Sequence, residues 1–334
     1  MRLTRDKMKT SLMKLRKKID EDDSLTTSTK KGYFDAILIV ERHCPFLDEY
    51  VKNVTASMLN SFLNETLKRC KTSRNSKVGY AKKTRKHVLL MLKKVFELYL
   101  ESRDLKSSPF NEGKIKVKGA NDQKYVHPYS RDELLKLSAR ATDDFVVQSF
   151  ILASEEGLRT GEIFGATVSG FDPEEQTLKI KYSIVGGELK QPKTEKSIRV
   201  ISLTELSTKI LKQQLLQGKT CKMTFMTRDG EVTEDFFFVA PTTQQPWKSS
   251  VQYYHALSKY FELANVEFRG SKVARHTFVN NSINAGMRKV DVADHCGQTS
   301  VKVMESNYLL WQNNIRGGLA FKEQRNTSSL NISF

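Results

Sequence analysis

The sequence predicts a mainly α-helical protein in two domains, with a small antiparallel β element set inside the second. Three observations carry this. Apolar residues recur at helical steps along much of the chain, as in Met8, Leu12, Leu15 and Ile19, or Val88, Leu89, Leu92, Val95, Phe96 and Tyr99. Strand-like alternation is confined to Thr177–Val185 and Ser197–Leu203, which flank Gly186-Gly187, and to a β-like run from Phe225 to Val239 with Asp229-Gly230 as a turn signal. Between the helical regions, Lys106 to Lys124 contains Gly, Ser and Lys without helical period and reads as a linker. At 334 residues the chain can bury two cores.

The first element is an amphipathic helix over residues 1–20 with a basic outer face, which either docks on a neighbouring element or adds a contact to DNA or protein. After the acidic break Glu21-Asp22-Asp23, polar caps at Ser24 to Thr29 precede a helix from Lys31 to His43, closed by Cys44-Pro45. Thr55 can cap a helix from Ala56 to Cys70 whose Leu59, Phe62, Leu63 and Leu67 share a face. Pro109-Phe110 ends the helical array, and Lys114, Lys116 and Lys118 alternate, giving an extended linker one basic edge.

In the second domain, Ser130 with Glu133 forms a capping box, and Asp143 or Asp144 starts a helix running through Phe150 to Glu156. Gly157 breaks it, and Leu158-Arg159-Thr160-Gly161-Glu162-Ile163 opens the next element. Helices are expected again over Glu205–Gln217, Ser249–Ala264 and the region from Lys272 to Tyr308; the polar tail after Leu319-Ala320-Phe321 is either disordered or docked on another subunit.

The formal net charge of +17 points to a polyanionic partner. Residues 1–126 hold 29 Lys and Arg against 15 Asp and Glu, whereas residues 127–334 hold 26 against 23, so most of the electrostatic grip sits in the first third. From Lys68 to Lys94 no acid interrupts the bases, among them Lys68, Arg69, Lys71, Arg74, Lys77, Lys82, Lys83, Arg85 and Lys86. On the outer side of an ordered helix such bases can pair with phosphates and release counterions, which makes them the candidate DNA-binding residues. No apolar run reaches the roughly 20 residues that span a bilayer, and the basic N-terminus lacks a signal-peptide core. Cys44, Cys70, Cys221 and Cys296 lack paired spacing and read as free thiols of a reducing cytoplasm. A Walker Gly-rich loop, a His-Glu-x-x-His site and a Gly-x-Ser-x-Gly elbow are all missing, which argues against ATP use and zinc hydrolysis.

The stretch Lys272-Val273-Ala274-Arg275-His276-Thr277-Phe278, followed by Asp294-His295-Cys296-Gly297-Gln298 and then Asn307-Tyr308, resembles the C-terminal active-site region of the tyrosine recombinase (phage integrase) family. There, a His-x-x-Arg-His box, a Gly-His turn and a nucleophilic tyrosine succeed each other in that order. Gly157-Leu158-Arg159-Thr160-Gly161-Glu162 is similar to the family's first arginine box, and Pro192-Lys193-Thr194-Glu195-Lys196-Ser197-Ile198-Arg199-Val200 to its Lys-Thr turn and following strand. The resemblance implies Arg159 and Arg275 as phosphate clamps, Lys193 as general acid with Lys190 and Lys196 as alternatives, Lys272 and Gln298 as further phosphate donors, and Tyr308 as nucleophile. Glu162 and His276 would support the two arginines, and His295 would face away. Two positions depart from the pattern: Lys272 stands where most members have His, and Gln298 where they have His or Trp. The lysine keeps charge but serves poorly as a base near neutral pH, and the amide donates without charge.

The resemblance further implies a helical core-type DNA-binding domain over residues 22–106 behind the helix of residues 1–21, a basic linker over 107–126, a mixed α/β catalytic domain over 127–322 forming a C-shaped clamp on duplex DNA, and a tail over 323–334. It implies cutting and rejoining at specific recombination sites through a 3′-phosphotyrosine and a Holliday junction, as integration or excision of a mobile element or phage. A homotetramer on DNA would do this in a prokaryotic cytoplasm at the nucleoid, with no metal or nucleotide cofactor and possible DNA-bending accessory proteins. The rivals are a DNA-binding protein of the same fold that has lost cleavage, a type IB topoisomerase, and a basic scaffold with no enzymatic ancestry.

Overall fold

The computed structural model describes residues 6–72, 78–101, 108–111, 115–119, 127–139, 144–191, 198–227, 230–298 and 300–302. The chain divides into two compact units, Met1–Lys124 and Tyr125–Phe334.

The first unit is helical. Its elements are α1 (Met8–Asp20), α2 (Thr27–His43), α3 (Ala56–Ser61), α4 (Leu67–Arg69) and α5 (Lys82–Glu101). Helix α1 docks within this unit: Met8, Leu12, Leu15 and Ile19 are buried in one cluster with Ile37 and Val40 of α2 and with Val88, Leu92 and Phe96 of α5. The Ser11 hydroxyl meets the Tyr99 hydroxyl at 2.8 Å in that interior. Helix α2 starts earlier than the apolar pattern alone suggests, because the Thr26 side chain accepts from the Thr29 N–H. Thr55 caps α3 in the same way.

The single helix expected over Ala56–Cys70 is interrupted by a wider π turn at Phe62–Thr66. The Leu63 carbonyl within that turn accepts from Arg85. The sequence places Arg85 among the outward, DNA-facing bases, but it is only 4% exposed. Its guanidinium donates to the carbonyls of Leu63, Tyr80 and Lys118, each at 3.0 Å. Arg85 is therefore an internal tie, not a phosphate contact. Lys83 and Lys86 on the same helix are exposed, as are Lys68, Arg69 and Lys71, whereas Lys82 is half-buried and donates to the Gly119 carbonyl. Arg74, Lys77 and Lys114 lie outside the described residues.

Residues 115–118 of the expected linker are strapped to the first unit. Asn64 donates to the Lys116 carbonyl and accepts from the Lys118 N–H, both at 2.8 Å. Ile115 and Val117 pack inward while Lys116 and Lys118 stay exposed, so the alternation in the sequence is an edge with one apolar and one basic side.

In the second unit, the Ser130–Glu133 capping box starts α6 (Arg131–Ala139), and Asp144 caps α7 (Phe145–Glu156). Short α8 (Thr160–Phe164) leads to a three-stranded antiparallel sheet ordered β1 (Phe171–Asp172), β2 (Thr177–Ile180), β5 (Arg199–Ser202). Strands β3 (Ser183–Val185) and β4 (Glu188–Lys190) form a separate hairpin around Gly186-Gly187. The strand expected to run unbroken from Thr177 to Val185 is thus two strands in two sheets, and the break lets β3 pack against α8. Next come α9 (Glu205–Leu216), the ribbon β6 (Cys221–Thr227) and β7 (Gly230–Phe236), then α10 (Ser250–Leu263), α11 (Val273–Asn284) and α12 (Lys289–His295).

Helix α7 is the axis of this unit. It packs against α6, α8, α9, α10 and α11, and nearly every side chain on it is buried. Phe150 meets Tyr129 and Phe261 edge-on at 5.5 and 5.2 Å between centroids; such pairs add about 0.5–1.5 kcal/mol each beyond burial. No helix among the described residues is long and apolar enough to cross a membrane, and none of the four cysteines is bonded to another.

Replacing Arg85 with Met would orphan three carbonyls. The one in the interior, that of Leu63, costs about 1–3 kcal/mol when left buried and unpaired. Thermal unfolding of the full chain should therefore show a markedly lowered Tm for Arg85→Met, and an unchanged one for Lys86→Ala.

Candidate active site

Helix α7 stops at Gly157, which adopts a left-handed φ of 64°. A Cβ there would fall 2.4 Å from Phe278 Cδ1, so only glycine lets α7 end against α11. The chain then turns back, and Arg159 takes the N-cap position of α8. The Glu162 carboxylate reaches back to it: the Arg159 backbone N–H donates to Oε2 at 2.9 Å and Nη1 to Oε1 at 2.6 Å. Glu162 is buried, whereas the Arg159 side chain is 46% exposed. One end of this pair is fixed in the interior and the other faces outward.

Arg275, from the first turn of buried helix α11, comes to the same place from the opposite side. Its Nη1 donates to the Gly157 carbonyl and its Nη2 to the Cys296 carbonyl, both at 2.8 Å. Arg159 reaches that same Cys296 carbonyl through Nη1 at 3.4 Å and the Gly297 carbonyl through Nη2 at 3.3 Å. Two guanidinium groups from positions 116 apart in sequence therefore share one acceptor, in the turn that follows α12.

A third guanidinium was missed in the sequence. Arg199 on β5 is nearly enclosed, with Nη2 3.0 Å from Glu162 Oε2 and Nε 2.7 Å from the His295 carbonyl. A signal for it existed: strand alternation puts Arg199 on the same face as Ile201 and Leu203, both buried, and an arginine on a core face needs an internal partner. Burial pushes the Glu162 carboxyl up, but Arg199 and Arg159 outweigh that and hold it below the ordinary carboxylate value.

Lys272 stands exposed at the N-cap of α11, next to Ser271, whose hydroxyl meets that of Thr160 at 3.3 Å and ties the starts of α8 and α11 together. Gln298 follows the shared turn, its N–H bonded to the Ala293 carbonyl at 2.9 Å; its Oε1 is buried and finds no donor among the described residues. His276 is partly buried, and burial, with Arg275 and Lys272 nearby, keeps its imidazole below the usual value. His295 stacks on Phe278 at 4.9 Å and bonds the Glu156 carbonyl at 3.2 Å. Burial lowers its pKa as well. Lys190 pairs with Glu188 at 3.2 Å on the β3–β4 hairpin. Lys193, Lys196 and Tyr308 lie outside the described residues.

These residues gather guanidinium groups that are braced by one carboxylate and by backbone carbonyls, at the end of a helix axis. Among the described residues, no cluster of three or more His, Cys, Asp or Glu could hold a metal ion. The Phage integrase family model matches residues 124–313, more than half of the chain, and the protein belongs to that family, the tyrosine recombinases. It is 22% identical over 247 residues to a tyrosine recombinase XerC-like protein of Caldanaerobacter subterraneus subsp. tengcongensis, a match covering 69% of this chain and 63% of that relative's length. In structure it is similar to the Tn1549 transposon integrase in complex with a circular intermediate DNA, with a TM-score of 0.72, 18% identity, and coverage of 90% of this chain and 94% of that one. It is also similar to a lambda integrase dimer bound to a core site, with a TM-score of 0.63, 14% identity, and coverage of 99% and 81%. The fold is that of these integrases.

Because the folded pKa of His295 lies below its unfolded value of about 6.5, the unfolded chain binds the extra proton first. The stabilisation is complete above that value and lost as pH falls through it toward the folded pKa. Unfolding scans from pH 8 to pH 5 should show a fall in Tm below about 6.5 that is shallower in His295→Gln.

Proposed function

We propose that the protein is a site-specific DNA recombinase that cuts and rejoins duplex DNA at defined sites. The observation that carries this reading is the convergence of Arg159 and Arg275 on the Cys296 carbonyl, with Glu162 bracing the first. Paired guanidinium groups suit a phosphodiester because each is planar, permanently charged and able to hold non-bridging oxygens. Neutralising the added charge of a pentacoordinate phosphorus is the main catalytic need when no metal takes part.

On this reading the Tyr308 phenol gives up its proton to solvent, its oxygen attacks phosphorus and the bond to the 5′ oxygen breaks. Lys193 gives that oxygen its proton, leaving a 3′-phosphotyrosine and a free 5′ hydroxyl. The 5′ hydroxyl of a partner strand reverses the step, so the bond energy is conserved without a nucleotide cofactor. Lys272 and Gln298 add donors to the phosphate. Exposed Lys68, Arg69, Lys71, Lys83 and Lys86, with Arg74 and Lys77, take the DNA backbone. Strand exchange through a Holliday junction by four protomers is supported by likeness of fold to the lambda integrase tetramer bound to such a junction. The mobile-element role is supported by likeness to a transposon integrase.

A nicked suicide duplex carrying the target site tests this. Wild type should leave a denaturation-resistant protein–DNA adduct, and Tyr308→Phe none. Site-specific gel shifts without any adduct would instead mark a DNA-binding protein that has lost cleavage, and an adduct in both proteins would move the nucleophile elsewhere.

A further inference from the structure

Arg199 takes part in no step of the proposed reaction, yet it is among the most enclosed charges of the second unit, with 8% of its side chain exposed. Among the described residues its hydrogen bonds run to the carboxylate that aims one clamp arginine and to the turn whose carbonyls receive both. Nη2 and Nη1 donate to Glu162 Oε2 and Oε1 at 3.0 and 3.3 Å, and that carboxylate holds Arg159. Nε donates at 2.7 Å to the carbonyl of His295, the residue directly before the carbonyl that Arg159 and Arg275 share. The guanidinium also packs against Gly297: a Cβ there would sit 2.8 Å from Nη1, so the turn closes on the arginine only because that residue is glycine.

These contacts settle a competition. A buried carboxylate draws in any cation within reach, because an uncompensated charge in the interior is costly. With Arg159 as its only partner, Glu162 would pull that guanidinium inward, away from an incoming phosphate, or take up a proton and release it. A second fork donor behind the carboxylate satisfies Glu162 and leaves Arg159 held yet facing out.

We infer that Arg199 is a positioning residue for the proposed strand-cleavage site: one guanidinium fixes both the Glu162 carboxylate that aims Arg159 and the His295–Gly297 turn whose carbonyls receive Arg159 and Arg275. This rests on the recombinase reading above. A merely structural staple would affect every substrate alike. A residue that acts through Arg159 matters in proportion to the negative charge Arg159 must neutralise.

The test is single-turnover adduct formation on a suicide duplex whose scissile group is either the natural phosphodiester or a methylphosphonate, taken as each stereoisomer, in which a neutral methyl replaces one charged oxygen. Arg199→Met and Arg199→Lys should lose on the order of 10²-fold on the phosphodiester, the scale set by a misplaced catalytic group, while gel-shift affinity stays within a few-fold of wild type. On one methylphosphonate isomer the loss relative to wild type should shrink to a few-fold. An equal loss on all substrates, or no loss, overturns the inference. Arg199→Lys keeps charge and reach where Arg199→Met does not fold, and an Arg199→Lys protein that also fails to fold would assign the residue to fold integrity and overturn it too. A wild type that forms no adduct on the phosphodiester overturns the recombinase reading; a cleaving wild type with an unaltered Arg199→Lys overturns only this one.

Discussion

The buried carboxylate of Glu162 is the constraint on which the site depends. Three guanidinium groups, at positions 159, 199 and 275, are brought into one small region, and Coulomb repulsion alone would scatter them. Glu162 offsets part of that charge, and the carbonyls of Gly157, His295, Cys296 and Gly297 offset more with their dipoles. What is left is an excess of positive charge held in fixed geometry. On the proposed reading, such a site is organised for the phosphate before it arrives, so little reorganisation is needed on binding.

That arrangement requires the fold behind it. Position 159 follows α7, position 199 is on β5, position 275 opens α11 and the shared carbonyl follows α12. These elements meet because α7 is buried along nearly its whole length and the others pack around it. Close approach is enforced at two points where a side chain would not fit: Gly157 against Phe278 and Gly297 against Arg199. The small cluster of Phe278, Val279, Val292, Ala293 and Cys296 then anchors α12 to α11 directly beneath the shared turn.

Much of this was legible in the sequence because it was local. Caps at Thr55 and Ser130 and the breaks at Gly157 and Gly186-Gly187 depend on residues within a few positions, where side-chain reach and backbone preference decide the outcome. Helical period found the buried stripe of α5 but misplaced Arg85, which sits on the boundary of that stripe. Whether a boundary base snorkels outward or turns in depends on what waits inside, and here the π turn presents the Leu63 carbonyl. The split of β2 from β3 was invisible for the same reason, since it answers to α8, which the strand pattern does not contain. The order of Arg159, Lys272, Arg275 and Gln298 could be read by resemblance. Arg199 could be reached only by asking what an arginine does on the inner face of a strand.

The two departures from the family pattern are also an electrostatic question. A phenol with a pKa near 10 can be activated by a base or by surrounding cations that favour its anion. Lys272 supplies charge where an imidazole would supply basicity, and Gln298 supplies a dipole where an imidazole could supply charge. In a site with few cations both changes would be severe. Here the guanidinium groups already outnumber the carboxylate they surround, and His276, kept below its usual pKa by burial and by Arg275 and Lys272, is held toward its neutral form beside them. On the proposed reading, the activation of Tyr308 therefore rests on the field of the arginine cluster more than on any single base, and Glu162 and Arg199, which fix that field, matter as much to the chemistry as the residues that touch the phosphate.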